Sequence, residues 1–165
     1  LLKHIDHMRE TATLIAEGQL PLNVTSGHFV APVAFEIQRM NQLSKEHFGP
    51  ILHIIRYPAS KLDGVIEQIN QSGYGLTLGI HSRNETTSRT IDSRVRVGNV
   101  YINRNQIGAV VGVQPFGGLG LSGTGPKAGG PHYLLRFATE RTRTTNTTAI
   151  GGNATLLSLE NSVIH

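Results

Sequence analysis

The sequence has 165 residues, of which 38% are hydrophobic and 16% charged. This is typical of one domain or a large part of one, and it excludes a disordered chain. Its apolar runs fall short of the roughly 20 residues that cross a bilayer, and the first residues, LLKHIDHMRE, are too charged for a signal peptide. The chain has no cysteine, so it carries no disulfide, thiolate metal ligand or cysteine nucleophile.

The net charge is +4 and the isoelectric point is near 9.8. The basic residues are scattered along the chain, and the densest pair is Arg141 and Arg143. Nucleic-acid-binding chains usually cluster such charges and place aromatic residues beside them. We therefore predict that this chain binds no nucleic acid.

The first third of the chain predicts one helix and two extended segments. Apolar residues recur at three- and four-residue spacing from Leu1 to Ile15, which indicates an amphipathic helix ending near Gly18. The segment 27–37, GHFVAPVAFEI, favours extended chain, and the apolar run 51–57 favours a short strand.

Helices and strands alternate next. The segment 60–73 predicts a helix that Ser60 caps and Gly73 ends. The segment 76–82, LTLGIHS, predicts a strand.

A helix over about 83–98, capped by Ser82 or Asn84, and a strand over 99–103 complete the series. Strand, helix, strand, helix, strand is the order of an α/β fold, and it predicts a parallel sheet with flanking helices.

A glycine-rich stretch, VGVQPFGGLGLSGTGPKAGG, follows at 111–130, and within it Gly118, Gly120 and Gly123 spell GxGxxG. A dinucleotide-binding loop with this pattern must open a helix, whose N-terminus meets the pyrophosphate. The residues that follow, TGPKAGGP, cannot start a helix, so we reject this interpretation.

The end of the chain predicts a short helix and a strand. The segment 132–140 favours a helix with Tyr133, Leu134 and Phe137 facing inward. The threonine-rich tail favours an exposed edge strand.

Two histidine-containing segments carry side chains that could take part in chemistry. His4 and His7 are predicted to lie on a solvated helix face, and no metal site is predicted. Glu46 beside His47 would suit an acid–base pair, although an exposed turn before a strand is favoured.

Three motifs resemble those of aldehyde dehydrogenases. KEHFGPILHIIRY is similar to the family's glutamate–hydrophobe–Phe–Gly–Pro motif, and GNVYINRN and QPFGGLGLSGTG resemble the two motifs that follow it, in the same order. Within that superfamily, the stretch from QIGAVVGVQ to GGNATLL is similar to the end of the L-glutamate γ-semialdehyde dehydrogenase domain of bifunctional proline utilization A (PutA) proteins.

The resemblance implies the C-terminal portion of an aldehyde dehydrogenase catalytic domain over 1–138, and an oligomerisation strand with a tail over 139–165. It implies NAD-dependent oxidation of the semialdehyde to glutamate, the second step of proline catabolism. In the family the cysteine nucleophile, the general base and the dinucleotide-binding domain lie upstream of these motifs. We therefore expect an inactive fragment with no catalytic residue of its own.

The implied cofactor is NAD, with NADP left open; FAD is expected only if a proline dehydrogenase domain is attached in the parent protein. The implied partners are the upstream regions of the parent chain, further copies in a homo-oligomer and a small-molecule substrate. The implied location is the bacterial cytoplasm, with peripheral membrane association of the parent left open.

The resemblance assigns five binding residues. Glu46 would bind the nicotinamide ribose, because a carboxylate accepts strong hydrogen bonds from both hydroxyls, and Phe48 would pack near the nicotinamide ring. Gly108 and Ala109 would anchor the substrate carboxylate, and Phe116 would lie beside the aldehyde carbon chain. From the residue types alone, Phe48 and Phe116 could equally be core residues and Gly108 part of an ordinary turn.

The anchor also has a physical basis in the residues. Successive main-chain amides in a turn form a nest that binds a small anion. We expect Gly108 to supply the unusual φ that aims these amides inward, and Ala109 to leave the space above them open.

Two alternatives remain. Another semialdehyde dehydrogenase would share the general motifs, although QIGAVVG argues against it. A non-catalytic assembly module would explain the absence of cysteine.

Overall fold

The computed structural model describes residues 1–24 and 26–146. The chain divides into two compact units, Leu1–Tyr133 and Leu134–His165. The helices and strands of the first unit, in chain order, are α1 (Leu2–Thr11), β1 (Thr13–Glu17), β2 (Val33–Glu36), β3 (Ile51–Ile54), α2 (Leu62–Gln71), β4 (Tyr74–Gly75), β5 (Thr77–Ile80), α3 (Glu85–Arg94), β6 (Asn99–Ile102) and β7 (Leu119–Gly120).

The principal core lies between α1 and the first sheet. This sheet has the order β1-β2-β3, with β1 antiparallel and β3 parallel to β2. Alternate residues of β2 are buried, as expected for a strand with one face on the core. The core residues are Ile5, Met8, Val33, Phe35 and Ile37.

Helix α1 is shorter than its sequence predicts. The helix ends at Thr11, and residues 13–17 form a strand antiparallel to β2. Ile15 is 44% exposed, so it does not continue the buried stripe of the helix. The β-branched residues Thr13 and Ile15 favour a strand, and pairing with β2 supplies the backbone hydrogen bonds that a longer helix would have made.

The alternating region has the predicted α/β order. Strands β5 and β6 pair in parallel, and α3 forms the crossover between them. The Asn84 cap is confirmed, because its side chain accepts a hydrogen bond from the Thr87 N–H at 3.2 Å. Parallel pairing is thus confirmed, but β2–β3 and β5–β6 belong to separate sheets rather than to one continuous sheet.

Of the two predictions for the ends of α2, the one for its C-terminal end is confirmed and the one for its N-terminal end is wrong. Gly73 follows the helix with φ of +77°, which confirms it as the stop residue. The cap prediction was wrong, since Ser60 lies inside a 3₁₀ turn, Ala59–Lys61, and Lys61 precedes the α-helix without a side-chain cap. The 3₁₀ turn supplies the first backbone bonds, so no capping side chain is used.

The glycine-rich stretch forms no dinucleotide loop. Its strand β7 pairs antiparallel with β4, and Gly120 adopts φ of +61° where a Cβ would collide with the Gly73 carbonyl oxygen. Among the described residues, no α-helix follows Gly123. The rejection of the GxGxxG interpretation is therefore confirmed.

The second unit begins with a 3₁₀ turn, Leu134–Phe137, rather than the predicted helix. Leu134 and Phe137 are 77% and 75% exposed, so the prediction that they face inward was wrong. No strand is formed over 139–146, and the rest of the predicted oligomerisation strand lies outside the described residues. No helix in the described part of the chain has the length and apolar character needed to cross a membrane.

Candidate functional site

Glu46 and Phe48 lie in the segment that leads into β3, and both are exposed. Phe48 is 81% exposed, so it is not a core residue of this chain. Glu46 makes no hydrogen bond or ion pair with any residue in the described ranges, which leaves its carboxylate oxygens available to a ligand.

Glu46 lines a cavity of about 820 Å³. Leu121 and Ser122 of the glycine-rich stretch line the same cavity, so the structure brings two of the recognised motifs together. Gln68 of α2 also lines it, and its side-chain oxygen accepts a hydrogen bond from the Met40 N–H at 3.2 Å. The segment before Glu46 is thereby tied to α2.

His47, between Glu46 and Phe48, stacks on His4 of α1 with ring centroids 3.6 Å apart. The Nε2 atoms of His4 and His53 are 3.0 Å apart, so three rings meet between α1, this segment and β3. His4 is only 9% exposed, which corrects the prediction that it is solvated, whereas His7 is exposed. Glu46 and His47 make no hydrogen bond or ion pair with each other, so the acid–base pair, the less favoured of the two interpretations, is not formed.

Burial is the main cause that lowers the pKa of His4, to about 4, and the charges of His47, His53 and His7 lower it further. Burial likewise lowers the pKa of His47, assisted by Lys45, and the pKa of His53, assisted by His47. The cluster is therefore neutral at pH 7, and one ring can donate to another. Within the described ranges, no group of three or more side chains has the arrangement of a metal site.

Phe116 is half-buried and is held through its backbone. Its N–H donates to the Ala128 carbonyl at 3.0 Å, and the Ala128 N–H donates back at 2.9 Å. Asn99, at the start of β6, donates from Nδ2 to the Pro115 carbonyl at 2.9 Å and accepts the Gly117 N–H at 3.2 Å. The sequence does not predict this role of Asn99, whose only signal is that it is a polar residue at the start of an apolar strand.

Gly108 and Ala109 are half-buried in the turn after β6, outside the cavity that Glu46 lines. Their N–H groups have no partner among the described residues. The prediction of an unusual φ was wrong: the positive φ in this turn belongs to Gly112, at +79°. A Cβ at Gly108 would meet open space, so nothing within the described chain requires glycine there.

The turn itself is closed by Gln114. The Gln114 N–H donates to the Val110 carbonyl at 2.9 Å, and its side-chain oxygen accepts the Val110 N–H at 3.2 Å. These bonds hold the turn while the two preceding N–H groups stay unpaired.

The aldehyde dehydrogenase family model matches residues 1–143. The chain is 51% identical over 83% of its length to the bifunctional protein PutA of Rhizobium meliloti. A crystal structure of a bifunctional proline utilization A protein superposes with a TM-score of 0.81 at 58% identity, over 90% of this chain. The 1-pyrroline-5-carboxylate dehydrogenase from Thermus with bound NAD superposes with a TM-score of 0.72 at 36% identity, over 82%.

The chain therefore belongs to the aldehyde dehydrogenase family. Its mixed α/β fold with parallel strand pairs is the fold of a part of that domain. The chain spans 11% of the Rhizobium protein, 15% of the superposed PutA chain and 26% of the Thermus chain.

Proposed function

We propose that this chain is part of an NAD-dependent L-glutamate γ-semialdehyde dehydrogenase, which oxidises the semialdehyde to glutamate in proline catabolism. The observation that carries the proposal is the pair of adjacent, unpartnered N–H groups at Gly108 and Ala109, in a chain similar to PutA and to 1-pyrroline-5-carboxylate dehydrogenase. The substrate differs from a simple aldehyde by its distant α-carboxylate, and such a group needs several convergent donors.

The substrate end of the proposed site is formed by the turn and by Phe116. The carboxylate accepts hydrogen bonds from the Gly108 and Ala109 amides, and the open space over Gly108 leaves room for it. Phe116 would pack against the carbon chain, and its backbone is held by Ala128 and, on either side, by Asn99. These contacts would orient the aldehyde toward groups that this chain does not contain.

The cofactor end is formed by Glu46 and Phe48. The unpaired, exposed carboxylate of Glu46 fits two ribose hydroxyls, and the exposed ring of Phe48 fits a flat nicotinamide. Bound NAD would supply the acceptor for the hydride that leaves the substrate carbon. The two side chains hold and orient the nicotinamide half of the cofactor; NADP would make the same contacts with them.

Oxidation through a covalent intermediate requires a nucleophile, and the chain has no cysteine. We therefore assign the nucleophile, the general base and the dinucleotide-binding domain to other regions of the parent protein. We assign the parent to the bacterial cytoplasm and to a homo-oligomer whose assembly uses 139–165. FAD enters only with an attached proline dehydrogenase domain.

The test is a substrate panel on the full-length enzyme. L-Glutamate γ-semialdehyde should give the highest kcat/KM with NAD, and an uncharged aldehyde of the same chain length should be a much poorer substrate. Equal kcat/KM for both would contradict the carboxylate anchor. A preference for a semialdehyde of another length would favour a different semialdehyde dehydrogenase. Inactivity toward every aldehyde would favour a non-catalytic assembly module.

A further inference from the structure

The amide side chain of Asn99 binds the backbone on both sides of a single residue. It donates to the carbonyl of Pro115 and accepts from the N–H of Gly117, so that Phe116 lies between the two bonds. Asn99 is 8% exposed, and hydrogen bonds of a buried amide are costly to lose because the partners are left unsatisfied. We call this two-bond arrangement the amide bracket.

The surroundings make Phe116 dependent on this bracket. The next two residues, Gly117 and Gly118, leave the backbone otherwise free to change conformation. A Cβ on Gly98, which precedes Asn99, would collide with the Gly117 carbonyl oxygen, so the two backbones are in close contact. The Lys127 ammonium also donates to the Gly98 carbonyl. The beginning of β6 is thus the fixed surface against which the Phe116 backbone is held.

We propose that Asn99 is a positioning residue for the substrate, which acts by setting where the Phe116 ring meets the aldehyde carbon chain. This inference rests on the proposed function, because it takes Phe116 as a wall of the substrate pocket. Asn99 would not touch the substrate. Its Nδ2 donates to the Pro115 carbonyl and its Oδ1 accepts the Gly117 N–H, as the backbone of a neighbouring strand would.

The chain contains a matched control for this arrangement. Asn70 donates to the Arg94 carbonyl and accepts the Arg96 N–H, both at 2.8 Å, and so brackets Val95 with the same pattern. This second bracket ties α2 to the end of α3. Neither Asn70 nor Val95 is among the residues proposed to contact the substrate. A loss of general stability should therefore be shared by variants of both residues, whereas a loss of substrate positioning should follow only from Asn99.

The experiment compares Asn99→Ala, Asn99→Asp and Asn70→Ala in the full-length enzyme. The aspartate keeps the acceptor for Gly117 and loses the donor for Pro115. Both Asn99 variants should raise the KM for glutamate semialdehyde about tenfold, since one lost net hydrogen bond is worth about that factor. The Asn70 variant should leave KM unchanged. An equal KM change in the Asn70 variant would overturn the proposal.

A double-mutant cycle with Phe116→Ala tests whether Asn99 acts through the ring. Phe116→Ala alone should raise KM, and adding Asn99→Ala should then change KM little. Fully additive effects would overturn the positioning role and leave the pocket assignment intact. An unchanged KM in Phe116→Ala would overturn the pocket assignment itself, and the positioning role with it.

Hydrogen exchange in the unmutated enzyme provides a measurement that does not depend on the folding of any variant. The Gly117 amide should exchange as slowly as the Ala128 amide, because each donates to a fixed partner. Fast exchange at Gly117 would show that the bracket does not hold, and would overturn the proposal.

Discussion

The two unpaired N–H groups at Gly108 and Ala109 are the feature of single residues that most directly concerns substrate choice. Replacing Ala109 by leucine puts a bulky side chain over the turn and hinders the approach of a carboxylate. We expect Ala109→Leu in the full-length enzyme to raise the KM for glutamate semialdehyde at least about tenfold, because charge-assisted bonds of about 1.5–3 kcal/mol are weakened. An uncharged aldehyde should be much less affected.

The measurement is kcat/KM for both aldehydes. Val110→Leu is a matched control, since Val110 is 55% exposed and its N–H already binds Gln114. If Ala109→Leu lowers both values by the same factor, the turn is only a wall of the pocket.

Glu46 offers a second test at this scale. Its carboxylate has no partner in the described chain, so Glu46→Gln should leave folding unchanged. The substitution should instead disturb the placement of the nicotinamide ring. A misplacement of about 1 Å can slow a reaction on the order of 10²-fold. Single-turnover hydride transfer should therefore slow by up to that factor. A normal rate in Glu46→Gln, or the same loss in the exposed control Glu67→Gln, would contradict the assignment.

At the scale of elements, the histidine cluster joins α1 to β3 and to the segment that carries Glu46 and Phe48. The titratable groups that face His4 are His47, His53 and His7, and Lys45 faces His47. Each is cationic when protonated, so all of them oppose the protonation of the cluster. The contact between these elements should therefore weaken in acid.

The direction of the pH dependence of stability follows from the pKa of His4, which is about 4 in the folded chain and 6.5 in the unfolded chain. The unfolded state binds the proton more readily, so the stabilisation is complete above pH 6.5 and is lost as the pH falls toward 4. Each pKa unit is worth about 1.4 kcal/mol, so the loss is at most a few kcal/mol.

We expect the thermal midpoint of the full-length enzyme to fall less between pH 7.5 and 5 in His4→Gln than in the unmutated protein. Glutamine stays neutral, so it removes the titration. His81→Gln is the control, because His81 is exposed and is not among the groups that lower the pKa of His4, and its midpoint should follow the unmutated curve. Parallel curves for all three proteins would contradict the linkage.

At the scale of the whole molecule, the chain presents much apolar surface. The side chains of Phe48, Ile107 and Val111 are 81%, 91% and 96% exposed. Ile107 and Val111 lie in the same turn after β6, and exposed apolar side chains that lie together favour association with a partner. We interpret them as surfaces that the other regions of the parent enzyme cover.

The isolated chain should therefore be inactive and self-associating. It lacks the thiolate that a covalent route requires, and its uncovered apolar surface favours association. NAD reduction with glutamate semialdehyde and light scattering test the two parts, with the full-length enzyme at equal concentration as the control. Turnover above that of a mock preparation would refute the first part, and a monodisperse monomer the second.

Local patterns determined much of this fold. Asn84 caps α3 and Gly73 ends α2, and both act within one helical turn, so the sequence alone predicted these roles. The two prolines after Gly123 likewise excluded a helix there. The family motifs also identified the segments around Glu46 and Phe116. These features depend only on residues that are neighbours in the chain.

Tertiary structure decided what depended on distant partners. Residues 13–17 became a strand because β2 lies beside them, and His4 became buried because His47 and His53 meet it from residues more than 40 positions away. Asn99 brackets Phe116 across 16 to 18 positions. A sequence pattern records which groups a residue carries, but only the packed chain determines which backbone those groups reach, because hydrogen bonds and burial depend on distances that no local periodicity sets.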